Sequence, residues 1–190
     1  MNFEPDEEQR EILQALGSLL EGHAGPARAI ALSEQGGYDF ALDAALAESG
    51  FDAAMDPETG AGALEATLIV EAVARAGGVT SLASSALVAR GVVGRALPGP
   101  VALGSGDPMM PVRFGAHART ALWRDADAVR LVALEDGDAE AVPSSFGYPM
   151  GRIGRKALEK GELMPPGSAA RLRRWWRLAV AAEMVGTMAA

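Results

Sequence analysis

The sequence predicts an α+β chain, helical through its first hundred residues, β in a short middle stretch, and helical again at its end. Three observations predict it. Apolar residues of the first hundred positions recur at three-to-four spacing; after Pro98 and Pro100 the texture changes to short β-suited runs; from Ser168 the helical spacing resumes. A content of 49% hydrophobic and 22% charged residues over 190 positions suits a folded chain rather than a disordered one. Only 5% is aromatic while alanine and glycine abound, so much of the core must be small-residue packing between close helices.

Each element has its own signal. Residues 6–21, DEEQREILQALGSLLE, read as a helix opened by a capping box, with Asp6 accepting from first-turn amides and Gln9 reaching back. Acids in the first turn suit the positive end of the helix dipole. Ile12, Leu13, Leu16, Leu19 and Leu20 form its buried stripe, and Gly22 is its expected stop. A shorter helix over 27–34 is broken by Gly36-Gly37. Asp39 caps a third, FALDAALAES, which Gly50 closes as a left-handed residue does. DPETGAG, residues 56–62, is a loop by composition. Two almost wholly apolar helices, 63–77 and 80–96, belong in an interior. Strand-like runs follow at 101–103, 112–114, 120–123 and 128–134, and Asp136-Gly137 predicts a hairpin. Loops around short strands are expected at 143–154 and 161–168. The helix from Ser168 carries no glycine stop, basic last turn or following proline, so the chain is expected to end mid-helix, at the start of a further helical unit.

The charge is −8 overall but is unevenly placed. Residues 1–60 hold thirteen acids and two bases; residues 151–180 hold eight bases and two acids. The basic cluster comprises Arg152, Arg155, Lys156, Lys160, Arg171, Arg173, Arg174 and Arg177, with Trp175 and Trp176 among them. Arginines interleaved with aromatics can stack on nucleic acid. A solvated basic helix face with tryptophans in the core is the favoured reading, because the acidic whole opposes a polyanion. No apolar run approaches 18 residues and the acidic start MNFEPDEEQR is no secretory signal, so the expectation is a cytoplasmic protein that does not span a membrane.

Chemistry is sparse. The absence of cysteine excludes disulfides, thiolate zinc sites and a cysteine nucleophile. His23 and His117 have no spacing that pairs them as metal ligands, and no G-x-S-x-G elbow occurs. The pairs Asp125/Asp127 and Asp136/Asp138 lie in turn-like contexts and read as solvated. Gly104-Ser105-Gly106 and Gly151-Arg152-Ile153-Gly154 lack the strand-loop-helix setting of a phosphate cradle and read as turns. No catalytic constellation emerges, and none is assigned.

Several motifs nevertheless stand in a telling order. Phe3-x-x-Asp6-Glu7-Glu8-Gln9-Arg10 resembles the usual start of acyl-CoA dehydrogenases. The run ALAESGFDAAMDPETGAGALEATLIVEAVARAG, ending at Gly77, resembles that family's helix ending in "AExG", a turn, "PExxGG" and a long helix, with Pro57, Glu58, Gly60 and Gly62 in the matching places. WWRLAVAAEMVGTM resembles the first helix of the family's C-terminal bundle. The resemblance implies an N-terminal helical domain over 1–100, a reduced β-barrel-like middle domain over 101–166, and, over 167–190, the first helix of a C-terminal four-helix bundle cut short. It further implies FAD and an acyl-CoA thioester as substrate, a glutamate removing the α-proton while hydride passes to the flavin.

Departures from the family pattern sharpen the expectation. A "TEPxAGSD" segment usually contacts the flavin; here Val101-Ala102-Leu103 runs straight into Gly104-Ser105-Gly106-Asp107, and the flavin-contacting threonine has no counterpart. Leu103, Gly104 and Ser105 are therefore the expected remnants of a degenerate flavin loop. Glu183 is expected to face solvent or an arginine rather than to act as the base. The resemblance thus suggests the non-catalytic partner in a hetero-oligomer with a homologous acyl-CoA dehydrogenase subunit that holds the flavin. The alternatives are part of an ordinary catalytic enzyme with a divergent flavin loop, or a non-enzymatic helical scaffold. The basic 152–177 segment is expected in an internal or subunit contact.

Overall fold

The computed structural model describes residues 4–145 and 147–190. Phe3 of the opening motif lies outside the described residues. Helix α1, Glu7–His23, starts on the capping box: Asp6 Oδ1 accepts the Gln9 amide at 2.9 Å, and Gln9 Oε1 accepts the Asp6 amide at 3.1 Å. The helix runs through Gly22, the expected stop, and ends where Ala24 turns extended. Helices α2, Pro26–Glu34, and α3, Phe40–Glu48, follow. Asp39 caps α3 by accepting the Leu42 amide at 3.0 Å, and Gly50, at φ +75°, closes the turn beyond it. Pro57–Thr59 form a single 3₁₀ turn within the expected loop, before α4, Ala63–Arg75.

The next helix differs in pitch from the expectation. Ala83–Ala89 is π-helical and passes into a short α-helix, α5, Arg90–Val93, which Gly94 ends. A run of small apolar residues presents a buried surface at either pitch, so periodicity does not separate the two. Arg90 is buried here. Its Nε donates to the Asp52 carbonyl at 2.9 Å and its Nη1 pairs with Asp56, tying the 51–59 turns to the helix.

The β region forms two small sheets. One has the order β1-β3-β4-β7, from Val101–Ser105, Thr120–Asp125, Ala128–Ala133 and Glu162–Leu163; β1 runs parallel to β3, and the other pairs are antiparallel. The second has the antiparallel order β2-β6-β5, from Val112–Arg113, Met150–Ile153 and Ala139–Val142. The Asp136-Gly137 turn exists, with Gly137 at φ +91°, but it makes no hairpin because β4 and β5 belong to different sheets. The tight hairpin lies instead at Ala126-Asp127, between β3 and β4, with Ala126 at φ +50°. Asp127 is not simply solvated: its carbonyl and its Oδ2 both accept the Gly167 amide, at 2.9 and 3.1 Å, where the last helix begins.

After α6, Arg155–Lys160, the chain enters α7, Ser168–Met188. This helix lies chiefly across α4 and the π-helical segment. The approach is close enough that a Cβ on Gly186 would overlap the Glu71 carbonyl, and one on Gly91 would overlap the Trp175 indole. The main core is continuous from Leu16, Leu42 and Ile69 through Leu87 to Val101, Leu122 and Leu172, joining helices and sheet. A second core on the opposite face of the larger sheet gathers Ala102, Ala121, Trp123, Val132, Ile153 and Leu158. Successive strand residues thus feed opposite faces, as the period of two requires.

Candidate functional site

The seam where β1 and β2 meet α7 and the π-helical segment concentrates the polar chemistry of the fold. Arg113 of β2 and Glu183 of α7 form a two-bond ion pair at 2.9 and 3.0 Å. The guanidinium also lies 4.1 Å from the ring centre of Tyr148 and 5.0 Å from that of Phe114. Burial alone would lower the Arg113 pKa; hydrogen bonding and charge from Glu183 outweigh it, so the value is raised and the group stays cationic. Its Nε is buried with no hydrogen-bond partner among the described residues. Glu183 thus faces an arginine.

Behind this pair an aromatic group ties the helices to the sheets. Phe114 packs edge-on to Tyr38 at 5.5 Å and to Tyr148 at 5.8 Å. The Tyr38 hydroxyl accepts the Ser81 amide at 2.9 Å and lies 3.1 Å from Ser81 Oγ, which itself accepts the Val101 amide at 3.0 Å. One serine hydroxyl therefore joins the loop before α3, the start of the π-helical segment and β1. Burial, followed by the charge of Asp43, pushes the Tyr38 pKa well above the usual phenol value, so it remains a neutral hydrogen-bonding group. His117 packs against Phe40 at 5.6 Å, and its Nε2 is buried without a partner among the described residues. His23 is exposed at the end of α1. Among the described residues no cluster of His, Cys, Asp or Glu could hold a metal ion.

The three residues expected at a flavin point different ways. Leu103 is 8% exposed and faces the helical core, beside a cavity of about 80 Å³ bounded by Arg113, Phe114, Trp176 and Glu183. Gly104 faces the opposite side, where the Trp123 indole lies so close over it that a Cβ would overlap the ring. Ser105 alone is exposed, on a groove of about 410 Å³ between the sheet and α7. Three successive strand residues do not present their side chains to one face, so Leu103 and Ser105 lie on the side opposite to Gly104's indole-covered face. A larger apolar cleft of about 430 Å³ runs between α2, α4 and α7, with Val70, Val73 and Leu82 in its lining; Glu183 borders it as well as the smaller cavity, together with Tyr148, Glu34 and Thr187.

The basic segment is spread over several surfaces. Arg152 donates to the Met109 carbonyl at 2.8 Å, and Arg171 to the Val92 carbonyl at 3.3 Å. Arg173 and Arg177 line the groove beside Ser105, and Arg155 lines a polar recess with Arg124 and Arg130. The acids Asp39, Asp52 and Asp56 of the N-terminal stretch pair with Arg28 and Arg90, which lie outside that segment. Trp175 is seated on Gly91, and Trp176 lines both the groove and the seam cavity. Neither the Arg113–Glu183 pair nor the Trp123 lid over Gly104 carries a sequence signal, since the partners are far apart or belong to different strands.

No protein-family model matches the sequence, and no curated protein matches it either. Solved structures do. The chain is similar to one in the crystal structure of the ChsE4-ChsE5 complex from Mycobacterium tuberculosis, with a TM-score of 0.71 and 16% identity, covering 98% of this chain and 65% of that one. It is similar to a chain described with the electron transferring flavoprotein of Acidaminococcus fermentans, with a TM-score of 0.73, 16% identity, and coverage of 98% and 66%. Butyryl-CoA dehydrogenase from Megasphaera elsdenii matches with a TM-score of 0.69, 16% identity, and coverage of 98% and 67%. This chain thus spans about two thirds of the length of these neighbours, 65–67%. Its fold is the acyl-CoA dehydrogenase fold. No helix among the described residues is long and apolar enough to cross a membrane.

Proposed function

We propose that this chain is the non-catalytic partner in a hetero-oligomer with a homologous acyl-CoA dehydrogenase subunit, supporting FAD-dependent α,β-dehydrogenation of an acyl-CoA thioester. The observation that carries the reading is the seam itself. Where β1 meets α7, an ion pair and Trp176 leave a void of only about 80 Å³, well below the roughly 300 Å³ at which ligand pockets begin. On the other face of β1 the Trp123 indole closes over Gly104. A dry apolar slot beside an oriented base and a polarised carbonyl is what the reaction requires; a paired Glu183 is neither free to act as base nor apolar lining. Flavin, when bound to the partner, supplies the hydride acceptor. This chain's residues supply packing surface, hold α7 against the sheet through Arg113–Glu183, and exclude water from the seam. That one structural neighbour is described as a complex of two differently named chains supports the heteromeric reading.

The domain division at 100/101 and 166/167 and a cytoplasmic location belong to the same proposal. Co-expression with a homologous acyl-CoA dehydrogenase subunit tests it. The complex should purify yellow with flavin absorbance, and this chain alone should purify colourless. Stoichiometric flavin on the isolated chain overturns the reading in favour of an ordinary catalytic subunit. Failure to associate with any such subunit favours a scaffold.

A further inference from the structure

The cleft between α2, α4 and α7 has one wall unlike the others. On its inner side Val70, Val73 and Leu82 belong to the continuous core, and α7 is pressed onto α4 at Gly186. The outer wall is α2, none of whose side chains is buried, and its Ile30 is 60% exposed. Glycines flank this helix at both ends, Gly25 at φ +132° and Gly36 at φ +61°, conformations that other residues rarely adopt. Among the described residues its one ion pair is the two-bond contact from Arg28 to Asp39. The cleft's volume, about 430 Å³, falls among small-molecule pockets, which run from roughly 300 to 1,000 Å³. A helix about 10 Å across fills roughly as much in one turn, so the space is of ligand size rather than helix size. Charge narrows the ligand further. Among the described residues the lining carries two carboxylates, Glu34 and Glu183, and no lysine or arginine. An anionic group entering it would shed water without gaining a counter-charge.

We propose that the cleft binds a small, neutral, apolar molecule, and that α2 swings on its two flanking glycines to admit it, with Arg28–Asp39 as the latch. The probe is the neutral dye N-phenyl-1-naphthylamine, which fluoresces in apolar surroundings; its 8-sulfonate differs by one anionic group. The full chain should bind one neutral dye, at least tenfold more tightly than the sulfonate. Ile30→Glu, on the outer wall, should weaken it at least fivefold, whereas Met184→Glu, in the groove beside Ser105, should not. Both residues are exposed, so neither change should move the circular dichroism melt. A Cβ on Gly77 would lie 3.6 Å from that of Ala29, and the chain has no cysteine, so Ala29→Cys/Gly77→Cys adds a single disulfide between α2 and the end of α4. Its oxidised form should take up the dye at least tenfold more slowly than its reduced form. Gly77 sits at φ +75°, so the reduced variant, not wild type, is the reference. Arg28→Met, which opens the latch without a disulfide, should speed uptake severalfold.

No binding of the neutral dye, or equal binding of the sulfonate, overturns the ligand class. Weakening by Met184→Glu instead of Ile30→Glu moves the dye to the groove and overturns the site. Equal uptake by the oxidised and reduced forms, or unchanged uptake in Arg28→Met, overturns the swinging wall. None of these measurements involves flavin or a partner subunit, so the cleft stands or falls apart from the non-catalytic reading.

Discussion

Arg113 and Glu183 lie seventy positions apart and meet through two hydrogen bonds, so that a single ion pair fastens the last helix to the smaller sheet. Their side chains are 35% and 20% exposed, so solvent screens part of the attraction. Removing one partner still leaves a partly buried charge uncompensated. Glu183→Ala should therefore cost about 1–3 kcal/mol in urea unfolding, below the full figure for a buried pair. The double change Arg113→Met/Glu183→Leu should cost less than the two single changes summed. Additivity in that double-mutant cycle would show that the two groups do not act as a pair.

The Trp123 indole is the second fastening, and it depends on Gly104 having no side chain. Gly104→Ala should force the ring off its seat and destabilise the fold by about 1–3 kcal/mol through overpacking. At this chain length that corresponds to a fall in melting temperature of about 2–4 °C per kcal/mol. Adding Trp123→Phe should recover part of the loss, because the smaller ring leaves room for the methyl group. A melt indistinguishable from wild type in Gly104→Ala would mean that the ring moves freely.

Local elements are largely legible in the sequence, and contacts between distant elements are not. The Asp6/Gln9 capping box, the Asp39 cap and the Gly50 closure all form, because each is decided within four residues. The strands at 101–105, 120–125 and 128–133 lie where the short β-suited runs at 101–103, 120–123 and 128–134 place them. Asp136-Gly137 shows where local chemistry runs out: it forms its turn, but which sheet the next strand joins depends on β6, which arrives later in the chain. The π pitch of Ala83–Ala89 leaves no trace in a run of mostly small residues, two of them serines. At the candidate site Leu103, Gly104 and Ser105 are contiguous in sequence yet divide between two faces of a sheet, and the seam's principal pair comes from β2 and α7.

The seat of α7 depends on two glycines whose replacement should be costly, and a third provides the control. A methyl group on Gly91 would meet Trp175, and one on Gly186 would meet the Glu71 carbonyl and approach Ala74 Cβ to 3.0 Å. Gly17, inside α1, has nothing within 4 Å. Gly17→Ala should stabilise by about 0.5–1 kcal/mol through helix propensity. Gly91→Ala and Gly186→Ala should destabilise by about 1–3 kcal/mol despite the same propensity gain. Chemical denaturation of the three single variants checks this, and a stabilised Gly186→Ala would mean that α7 does not press on α4 as described.

Asp39 and Asp43, one helical turn apart, should respond to pH with opposite signs. At Asp39 burial raises the pKa, but hydrogen bonds from Arg28 at 2.5 and 2.6 Å and from the Leu42 amide outweigh it, and the folded value is lowered. Its stabilising contribution is therefore present above the unfolded carboxylate value, about 3.9, and is lost as pH falls through the lower folded value. At Asp43 burial raises the pKa, the Tyr38 hydrogen bond lowers it, and the charges of Asp52 and Asp39 raise it again, leaving it raised. Its contribution is full below about 3.9 and lost as pH rises through the folded value, so at pH 7 the half-buried carboxylate is a cost. Asparagine keeps the cap at 39 and can still accept from Tyr38 at 43, so Asp39→Asn and Asp43→Asn isolate the charge. In urea unfolding at pH 7, Asp39→Asn should be less stable than wild type and Asp43→Asn more stable. Both differences should shrink towards pH 3. A difference of the same sign for both variants at pH 7, or one that does not change with pH, would contradict the assignment of the two carboxylates.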